Sequence, residues 1–181
     1  AAVIDALSHE PNLAQINIFD PRSDRSQQLA SQKRRDAGPT VTAVSCVKAA
    51  TIDADCVVTA TVGSKGYLNL QNCGTKSLFV GLSLDDASEE LFLSFDKIVV
   101  DSFDDCNREE KLLHRLVKEG RFDRDRVHAE IGQILIGLKS GRETSSETFL
   151  VNPMGMAVED VATAAWVYRT AIRQGIGTLV N

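Results

Sequence analysis

The sequence has no uninterrupted apolar run near the roughly 18 residues that a membrane-spanning helix needs. Ala1 to Glu10 lacks the basic start and long apolar middle of a secretory signal. There is no basic excess. Lys and Arg number 20 against 25 Asp and Glu, a net charge of −5. That argues against a nucleic-acid surface, which needs a cationic stripe to release counterions. Cysteine is scarce and unpatterned: Cys46, Cys56, Cys73 and Cys106 form no CxxC pair and no zinc-finger spacing with histidine. They read as reduced thiols of a cytoplasmic protein, with Cys56 in the core. No repeat, low-complexity tract or linker divides the chain. Its 181 residues, 43% hydrophobic and 25% charged, suit one globular unit with a sizeable core.

Short apolar strands alternate with helices. Ala1 to Ser8 reads as the middle of an amphipathic helix without a cap, so further sequence is expected before Ala1. Gln15 to Phe19 is a strand ending at Asp20. Ser23 can cap a helix running to about Arg35, broken by Gly38 and Pro39. Val41 to Val44 reads as a strand, Val47 to Ile52 as a helical stretch, and Cys56 to Ala60 as a β-branched strand buried on both faces. Gly63 to Gly66 reads as a loop. Leu78 to Leu82 and Ile98 to Val100 are further strands, with a helical turn over Ala87 to Leu93 between them. Helices are expected over Asn107 to Gly120 and His128 to Gly137, a polar loop over Ser140 to Ser146 and a strand over Phe149 to Val151. A long helix is expected over Val158 to Gln174, with Val161, Ala165, Tyr168 and Ile172 inward. The alternation implies an α/β fold with a parallel sheet covered on both faces.

Several residues at strand ends could carry chemistry. Asp20 ends a strand and precedes a helix, where an acid accepts hydrogen bonds from an adenosine ribose. Its carboxylate favours NAD over NADP, although Arg22 or Arg25 could hold a 2′-phosphate; the alternative is a turn aspartate. The glycine-rich turn that would accompany Asp20 belongs about 20 residues earlier, at or before Ala1. Thr59, Ala60 and Thr61 end the Cys56 strand with small side chains that let a ligand approach the backbone. An ordinary strand end explains them equally well. Asp85 and Asp86 follow the LFVGL strand, where one could act as general base. They could equally cap the helical turn after them. Asn152 to Asp160 (NPMGMAVED) pairs a Pro–Gly turn with a helix start whose free N–H groups suit an anion or carboxamide. Glu159 and Asp160 also suit that dipole by themselves. His128 and Glu130 form HxE, but no PCxxC follows, so His128 reads as structural. His9 and His114 read as solvated, and no metal site is expected.

Taken together, VVDSFDDCNREEKLLHRLVKEG, HAEIGQILIGLKSGRE and NPMGMAVEDVATAAWVYRTA resemble the ornithine cyclodeaminase/μ-crystallin family. Cys106–Asn107–Arg108–Glu109 and Asn152 to Ala157 point to its dehydrogenase branch that makes 2,3-diaminopropionate. The resemblance covers nearly the whole chain, most specifically Asp96 to Asn181. It makes the parallel sheet a doubly wound sheet of Rossmann type and implies a partial NAD-binding Rossmann domain over residues 1–151. Residues 152–181 then bridge to a substrate and dimerisation domain built mostly upstream, giving a homodimer. By motif position it makes Asp86 the catalytic aspartate and Asp20 the ribose-binding acid. Thr59, Ala60 and Thr61 become the adenosine-side loop, Ser83 and Arg22 further cofactor contacts, and Met154, Gly155 and Met156 the segment near the nicotinamide. The implied reaction is NAD-dependent oxidation and hydrolysis of N-(1-amino-1-carboxy-2-ethyl)glutamate to 2-oxoglutarate and 2,3-diaminopropionate, a precursor of siderophores or antibiotics. Conversion of ornithine to proline and ammonia, or cofactor binding without catalysis, are the alternatives. Neither the glycine turn nor the family's upstream Lys and Arg lie in the chain, so this stretch alone is expected to bind NAD weakly and not to turn over.

Overall fold

The computed structural model describes residues 2–34, 38–62, 66–83, 85–107 and 110–178. Ala1, the expected helix end at Arg35, the loop residues 63–65, and Arg108–Glu109 of the CNRE motif lie outside them.

Two parallel sheets form. β1 (Gln15–Ile18) pairs with β2 (Thr40–Ala43). A five-stranded sheet takes the order β3–β4–β7–β5–β6, from Cys56–Thr59, Leu78–Gly81, Phe149–Val151, Lys97–Val100 and Ala129–Glu130. Every pairing is parallel. Parallel neighbours need crossovers, and the helices supply them. α1 is Ala2–Leu7, α2 Ser23–Lys33, α3 Val47–Thr51, α4 Glu89–Leu93, α5 Phe103–Cys106, α6 Leu112–Lys118, α7 Ile131–Leu135 and α8 Ala157–Gln174. The α/β parallel architecture read from the alternation, of the Rossmann type that the resemblance implies, is therefore present.

The central strands are apolar throughout because both faces are covered. In β5, Ile98, Val99 and Val100 are at most 2% exposed. One face joins a cluster that includes Val57, Phe79, Leu91, Phe92, Leu113, Leu116, Phe122 and Leu150. Phe79 and Phe95 tilt together at 5.7 Å, and Phe92 meets Phe122 edge-on at 5.6 Å. The other face carries a smaller cluster of Val99, Ala129 and Phe149.

Six expectations need correction. Cys56 is exposed, not core, because β3 pairs with β4 alone among the described strands and its first residue sits at the sheet's corner. β3 is accordingly buried on alternate residues, at Val57 and Thr59. Ser23 does not cap α2. It is the first helical residue, the cap position is Arg22, and no side chain caps the helix there. The helix expected over Asn107 to Gly120 is shorter: within that span only α6, Leu112–Lys118, is helical, and the separate α5, capped by Ser102 Oγ accepting from Asp105 N at 3.3 Å, ends before Asn107. Glu110 adopts φ +53, left-handed, which no continuous α-helix accommodates. His128 and Ala129 do not open a helix. His128 N donates to Ile98 O and draws the chain into the sheet as β6, and α7 starts only after Glu130. Finally, α8 has no buried residue. Val161, Tyr168 and Ile172 are more than 60% exposed, and Ala165 is half-buried. Its large apolar side chains stand exposed among the described residues.

No helix of the described residues is long and apolar enough to cross a membrane.

Candidate functional site

Because β3, β4, β7 and β5 are parallel neighbours, their carboxyl ends open on one rim, the edge where open α/β sheets receive ligands. Thr59, Gly81, Val151 and Val100 end these strands in turn.

The loops after β3 and β4 are stitched together by side chains. Thr61 N donates to Ser83 Oγ at 2.6 Å, and Thr61 Oγ1 donates to Asp86 Oδ1 at 2.6 Å. Asp86 is buried at 3% exposure. Its backbone is fixed as well: Leu68 N donates to Asp86 O, and Ser88 N to Leu68 O. Asp86 Oδ2 and Thr59 Oγ1 are buried without a hydrogen-bond partner. Buried polar atoms are almost always paired, so two orphans on one rim mark a place where a ligand group or water completes the bonding. Tyr67 lies close by, its phenol pushed up by burial and by the charge of Asp86.

The two adjacent carboxylates are thereby separated. Asp85 turns to Arg115 of α6, Nη1 to Oδ1 at 3.1 Å, while Asp86 stays on the rim. Neither caps α4, where Ser88 Oγ accepts from Leu91 N at 3.2 Å.

A second buried carboxylate, Asp101, follows β5 and is 5% exposed. Oδ1 accepts from Ser102 N at 2.9 Å and from the Cys106 thiol at 3.1 Å. Oδ2 accepts from Gly155 N at 2.6 Å. Burial pushes the Asp101 pKa up, but the thiol and the backbone N–H groups of Met154, Ser102 and Gly155 outweigh it and hold the carboxyl below its ordinary value. Burial first, and then the bond to Asp101, push the Cys106 thiol up to about 12, so it remains a protonated donor. Cys106 Sγ also lies 3.4 Å from Asn152 O.

Asn152 connects this cluster to β4. A Cβ on Gly81 would lie 3.1 Å from Asn152 Oδ1, so glycine lets the buried Asn152 side chain lie over the end of that strand. Beyond it, Gly155 takes φ +88, which favours glycine, and nothing stands within 4 Å of where its Cβ would be. Met154, Gly155 and Met156 thus border open space beside the rim. Glu159 Oε2 accepts from Met156 N at 3.4 Å and covers the start of α8.

Thr59, Ala60, Thr61, Ser83, Asp86 and the Met154–Met156 segment therefore lie on one continuous edge. Asp20 and Arg22 belong to the two-stranded sheet instead. Asp20 Oδ1 accepts from Arg22 N at 2.8 Å, a local turn contact, and the Arg22 guanidinium pairs with Asp24 at 3.1 Å in solvent. Among the described residues no hydrogen bond joins either residue to Thr61, Ser83 or Asp86. His128 is structural, with Nε2 2.8 Å from Ser140 O and its ring edge-on to Phe149. His114 is half-buried rather than solvated. Its Nδ1 lies 2.9 Å from Asn107 O. A shallow groove of about 800 Å³ near Asn69, Leu70, Glu90 and Arg121 includes none of the rim residues named above. Among the described residues no group of three or more His, Cys, Asp or Glu is placed to hold a metal.

Sequence reasoning missed Asp101, Tyr67 and the Asn152 side chain. Asp101 carried a signal: KIVVD ends a strand in an aspartate as QINIFD does.

A matching family model, that of the ornithine cyclodeaminase/mu-crystallin family, covers residues 2–175. N-((2S)-2-amino-2-carboxyethyl)-L-glutamate dehydrogenase of Staphylococcus aureus is 40% identical over 134 residues, covering 74% of this chain and 40% of that protein. Delta(1)-pyrroline-2-carboxylate reductase of Bacillus cereus is 26% identical over 99% of this chain and 56% of that protein. The solved Thermococcus litoralis Delta(1)-pyrroline-2-carboxylate reductase, in complex with NADH and L-proline, superposes with TM-score 0.87 at 25% identity, over 98% of this chain and 56% of that one. The chain thus spans roughly half the length, or less, of the relatives it matches. With the parallel sheet, the shared rim and a family match over nearly its whole length, the chain belongs to the ornithine cyclodeaminase/mu-crystallin family.

Proposed function

We propose that this chain is the greater part of the dinucleotide-binding domain of an NAD-dependent amino-acid dehydrogenase. The observation that carries the reading is the rim itself, where buried Asp86 keeps one oxygen on Thr61 while its other oxygen, and Thr59 Oγ1 at the end of β3, have no partner among the described residues. The residues fit a nicotinamide cofactor. Small side chains line the ends of β3 and β4, and the segment after β7 borders open space at Gly155. The Thermococcus relative was solved with NADH, which supports the same cofactor here.

The substrate reading follows the S. aureus relative: N-(1-amino-1-carboxy-2-ethyl)glutamate. Bound NAD supplies the hydride acceptor for the glutamyl α-carbon. The rest falls to the protein. Loss of hydride and of the amine proton leaves a C=N bond. Water adds to that carbon, and the C–N bond breaks, giving 2-oxoglutarate and 2,3-diaminopropionate. Among the described residues, Asp86 is the buried rim carboxylate with an unpartnered oxygen, and it takes the proton from the secondary amine or from the attacking water. Thr59, Ala60, Thr61 and Ser83 form the cofactor's adenosine-side loops, and Met154, Gly155 and Met156 its nicotinamide side. Asp20 holds the ribose hydroxyls and favours NAD over NADP, and Arg22 is a further cofactor contact. Residues 1–151 form the domain proper. Residues 152–181 carry the bare apolar stripe of α8 to an upstream substrate and dimer domain.

A second reading, reduction of a cyclic imine, has the pyrroline-2-carboxylate reductases in its favour. One assay on the full-length protein separates the readings. NADH forming one-to-one with 2-oxoglutarate from the glutamate conjugate supports the first. NADH-dependent reduction of Δ1-pyrroline-2-carboxylate alone supports the second. Ammonia from ornithine without net NADH makes the protein a cyclodeaminase. Binding of NADH with no turnover makes it a non-catalytic member. In the first case Asp86→Asn lowers kcat by about a hundredfold or more. An unchanged kcat removes Asp86 from the chemistry.

A further inference from the structure

We propose that Asp101 is a positioning residue that clamps the Met154–Met156 segment in the shape that receives the nicotinamide. The proposal rests on the dinucleotide reading above and assigns a role to a residue outside it.

The segment has few other anchors: Met154 packs against the core, and Met156 N donates to Glu159 Oε2 at 3.4 Å. It leaves the sheet at Val151 and does not re-enter regular structure until Ala157. Gly155 is left-handed and its Cα faces open space. Yet a fixed site needs the loop fixed, since misplacement of a ligand wall by an ångström is enough to lose productive geometry. Asp101 meets the need from the neighbouring strand. One oxygen accepts from Gly155 N at 2.6 Å. The other accepts from Ser102 N and from the Cys106 thiol, and is thereby oriented. Cys106 Sγ also lies 3.4 Å from Asn152 O, so the thiol that orients Asp101 sits against the start of the same loop. Such bonds to a buried charge are the strong kind. A carboxylate is required, because these bonds demand acceptance at both oxygens. The amide of asparagine has a single acceptor oxygen and would turn a donor toward another donor.

The test uses the full-length protein. Asp101→Asn raises the Kd for NADH and the KM for NAD on the order of tenfold to a hundredfold, with a smaller change in kcat. It also speeds hydrogen–deuterium exchange at the Gly155 amide. Leu113→Ala, buried in α6 away from the rim, destabilises the fold while leaving both constants unchanged. Cys106→Ser keeps a donor and keeps the constants near wild type, whereas Cys106→Val raises them. Unchanged NADH affinity in folded Asp101→Asn overturns the proposal, as does an equal loss in Leu113→Ala. Should the wild-type protein bind no NADH, the dinucleotide reading has failed, and the nicotinamide half of the proposal falls with it. Gly155 exchange then decides the clamp: faster in Asp101→Asn, it stands; unchanged, it falls.

Discussion

The five-stranded sheet and the two-stranded sheet share strand length and parallel pairing but differ in what lies behind them. β4, β5 and β7 are backed by a continuous cluster from Val57 to Leu150. β1 contributes no buried residue, and its unit buries Ile4, Ser26, Ala30 and Val41. The thick sheet holds both buried carboxylates, Asp86 and Asp101, while Asp20 sits at the end of the thin one. Burial is what gives a carboxylate a fixed direction, and the thick sheet supplies it.

The contrast can be broken most readily in the cores. Leu116→Ala, at a site with no exposure, should cost about 2–5 kcal/mol of unfolding free energy in urea titrations. Val41→Ala, in the thin unit, should cost roughly 1–2 kcal/mol. Equal losses would mean that the two sheets share one core. Next, Thr61→Val removes the donor that aims Asp86. Steady-state kinetics of the full-length protein should show kcat lower by roughly 1.5–3 kcal/mol of activation free energy, tenfold or more, with the fold intact by circular dichroism.

The third experiment varies pH. The Asp101 carboxyl is held below its ordinary value in the folded protein. It therefore binds its proton less readily folded than unfolded, and its contribution to stability is fully present above pH ~4. That contribution is lost as pH falls through its lower folded value. Acid unfolding should show a shallower dependence in Asp101→Asn than in the wild type; an identical slope would mean that the clamp does not act electrostatically. The smallest effect belongs to the exposed stripe of α8. Trp166→Glu should change the thermal stability of the 181-residue chain by less than about 0.5 kcal/mol. Sedimentation should show that it weakens subunit association in the full-length protein.

The sequence carried the periodicities. β-branched runs marked β3 and β5, and their ends pointed to Thr59 and Thr61. It could not say which of Asp85 and Asp86 would turn inward, because that choice is made by Arg115, thirty residues away in α6. Nor could it keep Glu110 out of the helix that starts only at Leu112, since the left-handed backbone there is a tertiary constraint on a residue that ordinarily favours helix. His128 followed the same pattern: a hydrogen bond to Ile98 in the sheet overrode local preference. Asp101 was overlooked since its partner, Gly155, is supplied by a distant loop. The outward stripe on α8 looked like core because periodicity records that a face is apolar, not what covers it.

One feature of the strand order bears on biogenesis. β7 is the last of the described strands in sequence order, yet it lies in the middle of the sheet, between β4 and β5. During synthesis β3–β4 and β5–β6 emerge as two separate halves with bare edges facing each other. They become one sheet only when Phe149 to Val151 slides between them. Vectorial folding from the ribosome must therefore wait for this three-residue keystone, and the nascent chain is most open to chaperones just before it arrives.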